Sequence, residues 1–250
     1  MRKHPKNARV SAYLLREINK QMNIVLYGSG EFTPLVNEID KYLIEKYKLK
    51  TVAVIPTAAG QESDVDKWIA MAKTHFANLN IKVIPVPVHN KTQANDLALV
   101  NLVKDADWIF YSGGSPNYLL ETMDGSKLWE AVLVRLNNGA LLSGSSAGAM
   151  IMGKYVLAPS FRALVSPSKN IWHKAFGLVE YTIIPHFDHF KRQPGLINKL
   201  LDRSLTKAGS SLMGIDENTA IILDSNEQVV LGLGGVEIHD KTGVRRIVPK

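Results

Sequence analysis

The sequence predicts an α/β protein, a three-layer sandwich in which a mostly parallel sheet lies between helices, with an antiparallel strand extension toward the C terminus. Three observations carry this expectation. Short β-branched runs alternate with helical patterns, the rhythm of parallel strands joined by covering helices. Several runs end directly in glycine-rich turns, at Gly28-Ser29-Gly30, Ser112-Gly113-Gly114 and Ser143–Gly148. Hydrophobic residues make up 46% and charged residues 21% of the 250 positions, the balance of a globular chain that can bury a sizeable core.

Asn23–Tyr27 (NIVLY) reads as the first strand and Leu35–Tyr47, with apolar residues at helical spacing, as the first helix. Thr51–Ile55 (TVAVI) is a buried strand ending at Pro56, and Ser63–Leu79 is the next helix. Ile81–Val88 forms a third strand whose end is demoted by Pro85 and Pro87. Gln93–Lys104 is helical, Asp107–Tyr111 (DWIFY) is a fourth strand, and Tyr118–Met123 and Lys127–Asn137 are helices. Gly139–Leu142 is a short apolar strand that leads into Ser143–Gly148. From Ala158 to His173 two prolines and several serine or asparagine positions predict an irregular loop. Val179–Ile184 restores a strand, Pro194–Thr206 is helical, and Ala220–Leu223, Val229–Leu233 and Val236–His239 read as antiparallel strands. One doubly wound domain over residues 22–250 is the simplest organisation.

The chain has no cysteine, which excludes disulfides, cysteine-ligated zinc, iron–sulfur clusters and a cysteine nucleophile. The formal charge is +7, and Arg2, Lys3, Lys6, Arg9, Arg16 and Lys20 against Glu17 put +5 of it in the first twenty residues. Because a strong strand starts just after Met22, residues 1–21 read as a basic extension outside the fold; the alternative is a helix packed through Leu14, Leu15 and Ile18. No apolar run approaches the roughly 20 residues that span a bilayer, and no secretory signal is present, so a soluble cytoplasmic protein is expected. Outside the basic start the charge is nearly balanced and no aromatic-basic motif occurs, which argues against nucleic-acid binding.

Gly144-Ser145-Ser146-Ala147-Gly148 is the most specific motif. A serine between an apolar strand and a small-residue helix is held in a sharp, strained turn, and glycine on either side lets strand and helix approach closely enough to present its hydroxyl. Ser146 is therefore the candidate nucleophile, and the N–H of Ala147 points toward the same space. A second N–H donor to an oxyanion is expected from Gly113-Gly114 at the end of the fourth strand.

Seven histidines are available as base, and four of them follow Ser146. His186 comes directly after a buried strand and Pro185, at the carboxyl end where open α/β sheets place their chemistry. His189 falls in the following loop, while His173 and His239 are expected at the surface. The group that orients the imidazole stays open. Glu180 precedes the strand by its full length, roughly 15–20 Å from the histidine. Asp188 is adjacent to the base, Asp216 and Glu217 arrive from a separate turn, and a serine or a backbone carbonyl could serve instead. The His186-Phe187-Asp188-His189 run lacks the clustered ligands of a metal centre.

Four separated motifs in order resemble a known family: Gly-Ser-Ser-Ala-Gly-Ala-Met around Ser146, Tyr-Ser-Gly-Gly-Ser-Pro before it, Ile-Pro-His-Phe-Asp after it, and Gly-Ile-Asp-Glu-Asn-Thr-Ala later. From about Met22 to the C-terminal strands the chain resembles the serine peptidases of family S51, which include peptidase E and the cyanophycinases. The resemblance implies a fold similar to class I glutamine amidotransferases. It also implies Ser146 as nucleophile, His186 as general base, and Gly114 and Ala147 as N–H donors. Peptidase E carries its acidic triad member shortly after the nucleophile, in a segment that here (Pro159–Ser166) contains no acid. The Gly-Ile-Asp-Glu-Asn-Thr motif looks more like the cyanophycinase side. The activity implied is hydrolysis of small peptides, aspartyl or acidic ones, with no metal or organic cofactor. A cation should hold the substrate carboxylate; Arg162, Lys169, Lys191 and Arg192 flank the site, although each also reads as an ordinary surface charge. A small peptide is the expected partner, nucleic acid and membrane are not, and a homodimer is compatible with the reading. A non-peptidase amidase or a catalytically silent amidotransferase-like ligand-binding protein is the alternative.

Overall fold

Strands covered on both faces have no polar side, so each side chain must find a core above or below the sheet. The computed structural model describes residues 22–157, 172–192, 195, 210–224 and 228–249. Its first half runs β1 (Asn23–Tyr27), α1 (Asn37–Tyr47), β2 (Thr51–Ile55), α2 (Lys67–Ala77), β3 (Lys82–Pro85), the single-turn α3 (Leu97–Val100), β4 (Trp108–Tyr111), α4 (Pro116–Met123) and α5 (Lys127–Asn137). There follow β5 (Leu141–Ser145), α6 (Ala147–Met150), β6 (Tyr155–Leu157), β7 (Trp172–Lys174), β8 (Tyr181–Ile184), α7 (Phe187–Lys191), β9 (Ser211–Ile215), β10 (Thr219–Leu223), β11 (Gln228–Gly232), β12 (Val236–Asp240) and β13 (Gly243–Ile247).

Ile24, Leu26, Ala53, Ile55, Ile109 and Tyr111 pack on one face against Leu119 and Met123 of α4 and Leu128, Val132 and Leu136 of α5. The residues between them, Val25, Tyr27, Val52, Val54, Trp108 and Phe110, pack on the other face against Ile39 and Leu43 of α1 and Ala72 and Phe76 of α2. This is the expected three-layer arrangement. The seven-stranded sheet has the order β11-β10-β1-β5-β4-β2-β3. Its five strands from β1 to β3 are mutually parallel. The β10–β11 hairpin extends it antiparallel to β1.

Val179–Ile184 is not part of that sheet, contrary to the simplest doubly wound reading. Its strand, β8, starts at Tyr181 and opens a second sheet of order β13-β12-β9-β8, in which β8 and β9 are parallel. Trp172, Ile184, Phe187 and Leu212 form a separate small core beneath it. The sequence reading missed β9 (SLMGI) and β13 (GVRRI) because neither alternates cleanly: β9 is buried from Leu212 onward, and β13 is exposed over its first four residues. It also missed the short β6–β7 pair.

Other boundaries moved for local reasons. The second helix begins at Lys67, since Ser63, Asp64 and Asp66 are exposed and give the preceding turn no apolar face. Gln93–Lys104 is broken at Asp96, whose ψ of 118° is extended and whose side chain accepts the Ala98 N–H as a helix cap. The fourth helix starts two residues early, with Ser115 as its cap and Pro116 in its first turn. Gly139, at φ 88°, stops α5, so the following strand starts at Leu141 and runs on to Ser145. The expected extension over 1–21, most of the loop from Ala158 and, apart from Gly195, the helix over Pro194–Thr206 lie outside the described residues. No helix among the described residues is long and apolar enough to cross a membrane.

Candidate active site

Ser146 stands between β5 and α6 with φ 50° and ψ −110°, a conformation that costs a non-glycine residue energy and is tolerated where surrounding structure enforces it. The enforcement is visible on both sides. A Cβ on Gly144 would lie 2.3 Å from the Gly148 carbonyl carbon, and one on Gly148 would lie 2.4 Å from the Tyr111 carbonyl oxygen. Strand and helix thus meet at a distance only glycine permits. The Ser146 N–H donates to the Tyr27 carbonyl at 3.1 Å, tying the turn to β1. Tyr27 is itself fixed on the far face, where its buried hydroxyl donates to Asp40 at 2.5 Å and Asp40 meets His75 Nε2 at 2.6 Å. Burial pushes the Asp40 carboxyl above its ordinary value, against the opposing hydrogen bonds from His75 and Tyr27.

His186 follows β8 in a left-handed conformation (φ 52°, ψ 36°), and its N–H donates to the Gly28 carbonyl at 3.3 Å. This turn aims the ring back over the main sheet. Ser146 Oγ and His186 Nε2 are 3.0 Å apart, and His186 Nδ1 is 2.6 Å from Glu217 Oε1. Glu217 is thus the acid in contact with the imidazole. Asp188 reaches Glu217 rather than His186: its Oδ1 accepts the Glu217 N–H at 2.9 Å. Partial burial raises the Asp188 carboxyl, but that hydrogen bond and the charges of His189 and Arg192 outweigh it and hold the group below its ordinary value.

Asp216 turns the other way, into an ion cluster. It is buried, accepts the Gly235 N–H at 3.0 Å and pairs with Lys191 and Arg246 at 3.0 Å each; Glu237 joins the same two cations at 3.1 and 2.6 Å. Lys191, expected as a surface or substrate-binding cation, is committed to this cluster. Partial burial pushes the Glu237 carboxyl up, and the hydrogen bonds from Lys191 and Arg246 outweigh it and hold the group below the usual carboxylate range. A depressed folded-state value stabilises the fold at pH above the unfolded value and ceases to do so as pH falls through the folded one. A Glu237→Gln variant should therefore melt below the parent protein at pH 7, with the gap closing as pH drops below about 4. A gap in Tm that stays constant from pH 7 to pH 3 would contradict this.

Gly114 has φ 137°, and a Cβ there would lie 2.4 Å from the Ala58 carbonyl oxygen. Among the described residues neither the Gly114 nor the Ala147 N–H has an acceptor. The neighbouring Gly113 N–H does: it donates to Glu31 Oε1 at 2.8 Å, while Ser145 Oγ donates to Glu31 Oε2 at 2.5 Å. Glu31 is 6% exposed and clamps the Gly113-Gly114 turn to the residue before Ser146. The sequence reading missed Glu31. Its only signal was an acid directly after the Gly28-Ser29-Gly30 turn, at the carboxyl end of β1.

The remaining candidates fall away from the site. Glu180 is 82% exposed along its side chain and pairs with Lys154. His173 is exposed as expected. His239 is not: β12 is an inner strand of the second sheet, and the ring is buried against Phe187 at a centroid distance of 5.6 Å. Arg162 and Lys169 lie outside the described residues.

A seryl hydroxyl at a strained strand-to-helix turn with an imidazole and a carboxylate lined up behind it, on a three-layer α/β scaffold, is the working arrangement of a serine hydrolase. Comparison with known proteins narrows the class. Peptidase family S51 matches residues 24–231, and the chain belongs to this family of serine peptidases. It is 28% identical over 196 residues to a cyanophycinase of Geminocystis herdmanii, covering 76% of this chain and 69% of that protein. It is 27% identical over 190 residues to peptidase E of Actinobacillus pleuropneumoniae, covering 74% and 76%. The crystal structure of a peptidase from an acI-B1 actinobacterium superposes with a TM-score of 0.80 at 32% identity, over 92% of this chain and 96% of the other.

Proposed function

We propose that this serine peptidase hydrolyses small peptides, with a preference for aspartyl or other acidic ones, through an acyl-enzyme on Ser146. The observation that carries the reading is the continuous chain Ser146 Oγ, His186 Nε2, His186 Nδ1, Glu217 Oε1, with spacings of 3.0 and 2.6 Å at its two hydrogen bonds. In this reading Glu217 holds His186 in the tautomer with Nδ1 protonated, leaving Nε2 free to accept a proton. As Ser146 Oγ attacks the scissile carbonyl, its proton passes to His186, and the oxyanion is met by the Gly114 and Ala147 N–H groups. His186 then gives the proton to the leaving amine and the C–N bond breaks. Water, deprotonated by His186, attacks the ester, and Ser146 leaves with the proton returned to its oxygen. The acidic preference follows the family resemblance. Of the two flanking cations among the described residues, Lys191 is held by Asp216 and Glu237, while Arg192 forms no ion pair among those residues.

A serine-directed fluorophosphonate tests the nucleophile. The expected result is a single adduct on Ser146, found by peptide mass spectrometry, absent in Ser146→Ala and strongly slowed in His186→Ala. A panel of dipeptides differing only in the N-terminal residue then tests preference, with kcat/KM for Asp expected at least about 10-fold above Ala, the worth of one charge-assisted contact. A folded protein that takes no label overturns the acyl-enzyme reading. Labelling without cleavage of any peptide in the panel favours a non-peptidase amidase.

A further inference from the structure

On the side of Glu217 away from Ser146, three donor atoms converge that proton transfer does not use. Glu217 Oε1 is occupied by His186 Nδ1, which turns Oε2 toward His189 Nε2, 3.5 Å away. Asp188 Oδ1 is occupied by the Glu217 N–H, which leaves Oδ2 at 3.9 Å from the same imidazole nitrogen. Donor atoms of Asp188, His189 and Glu217 all lie within 4.8 Å of one another. A tetrahedral cation with bonds of about 2.0–2.2 Å sets its donor atoms about 3.3–3.6 Å apart. The two imidazole–carboxylate spacings of 3.5 and 3.9 Å already lie within a few tenths of an ångström of that range, and the two carboxylate oxygens, within 4.8 Å of each other, close on the ion by a side-chain shift of about 1 Å.

The supporting contacts follow the pattern that tunes metal ligands, in which a carboxylate or imidazole is oriented by a hydrogen bond from its other atom. Both carboxylates here are oriented in that way, on a short helix and a tight turn joined through the parallel pairing of β8 and β9. One imidazole nitrogen and two carboxylate oxygens suit a zinc-type ion better than magnesium or calcium, which favour oxygen alone. His189 is 56% exposed along its side chain, so the fourth position opens to water. The positive charge of Arg192 acts on Asp188 and opposes a cation, which makes the site reversible rather than structural.

We propose that Asp188, His189 and Glu217 form a reversible binding site for a zinc-type divalent cation, and that its occupation inhibits the peptidase. The inhibitory half rests on the reading of Glu217 as the partner of His186. A dication on Glu217 Oε2 withdraws charge from the carboxylate and repels the positive charge that His186 must take up with the Ser146 proton. Zinc is then not a cofactor but a brake, released when free zinc falls.

The test uses the full chain freed of metal with a chelator that is then removed. Zinc binding is measured by competition with a chromophoric chelator, and inhibition by titrating zinc against peptide cleavage in parallel. One equivalent should bind, cleavage should fall at least about 10-fold at saturation, and added chelator should restore it. His189→Ala is expected to keep its zinc-free turnover while binding and inhibition weaken together by at least about 10–100-fold, the cost of losing even a supporting partner. Asp188→Asn should weaken binding in the same direction. Absence of stoichiometric binding, or binding and inhibition unchanged in His189→Ala, overturns the site. Binding that depends on His189 but leaves cleavage unaffected overturns the inhibitory coupling. If Glu217→Gln also retains full zinc-free turnover, the fault lies in the reading of Glu217 and not in the metal site.

Discussion

Ser146→Ala and His186→Ala are each expected to lower turnover of a cleavable peptide by about 10⁶-fold, and Glu217→Ala by about 10⁴-fold, the losses typical of triad members acting as a unit. The unequal sizes have a physical origin. Without Ser146 or His186 there is no acyl-enzyme or no proton acceptor at 3.0 Å, whereas without Glu217 the imidazole remains but loses the contact at 2.6 Å that selects its tautomer and offsets its developing charge. In the proposed mechanism the three act as one unit, so the double variant Ser146→Ala/His186→Ala is expected to be no worse than either single one. Single-turnover kinetics on proteins checked for folding by circular dichroism would read this directly. The discriminating comparison is Asp188→Ala, which removes the acceptor of the Glu217 N–H and should cost far less, about 10-fold, as the loss of one positioning hydrogen bond. A loss in Asp188→Ala that equals the loss in Glu217→Ala would transfer the orienting role to Asp188.

Glu31 is the second position where a large effect is expected, although it does not face the reacting atoms. Its two carboxylate oxygens hold Gly113 N–H and Ser145 Oγ, one on each side of the space between the Gly114 and Ala147 donors. Removing it leaves a buried N–H and a buried hydroxyl without partners, at about 1–3 kcal/mol, and releases the turn that aims the Gly114 N–H. Glu31→Ala is expected to lower kcat by about 10²–10³-fold, the worth of an oxyanion donor, while KM changes little. Glu31→Gln supports the assignment if it recovers most of kcat, since its amide oxygen can still accept from Gly113 and its amide nitrogen can donate to a rotated Ser145 hydroxyl. A Glu31→Ala protein that melts earlier but turns over at the parental rate would reduce Glu31 to a purely structural residue.

How much of this was legible beforehand differs from residue to residue. The elbow could be read because its requirements are local: strand, glycine, serine, glycine and helix lie within a few positions, and the close approach at Gly144 and Gly148 is a consequence of that order. His186 could be read because a residue just past the end of a buried strand emerges at the sheet edge in any packing, even though β8 proved to belong to the second sheet. His239 could not, because its ring is buried against Phe187 of α7, a contact between elements far apart in the chain that leaves no local pattern.

The acid behind His186 was a choice among Asp188, Asp216 and Glu217 that no spacing could make. The sequence by itself determined the layered α/β scaffold, the strained serine turn and a histidine at a strand end, since each follows from the local periodicity and steric demands of short segments. Only the tertiary structure decided which carboxylates serve them. The parallel register of β8 on β9, with Ile184 opposite Gly214, brings the two strand ends out side by side. The turn that follows then sends Asp216 to Lys191 and Arg246, and its neighbour Glu217 to His186. Glu31 reaches Gly113 and Ser145 across separations of 82 and 114 residues. Contacts of that range are set by how strands pair and how loops fold over their ends, and they leave no periodic trace in the chain.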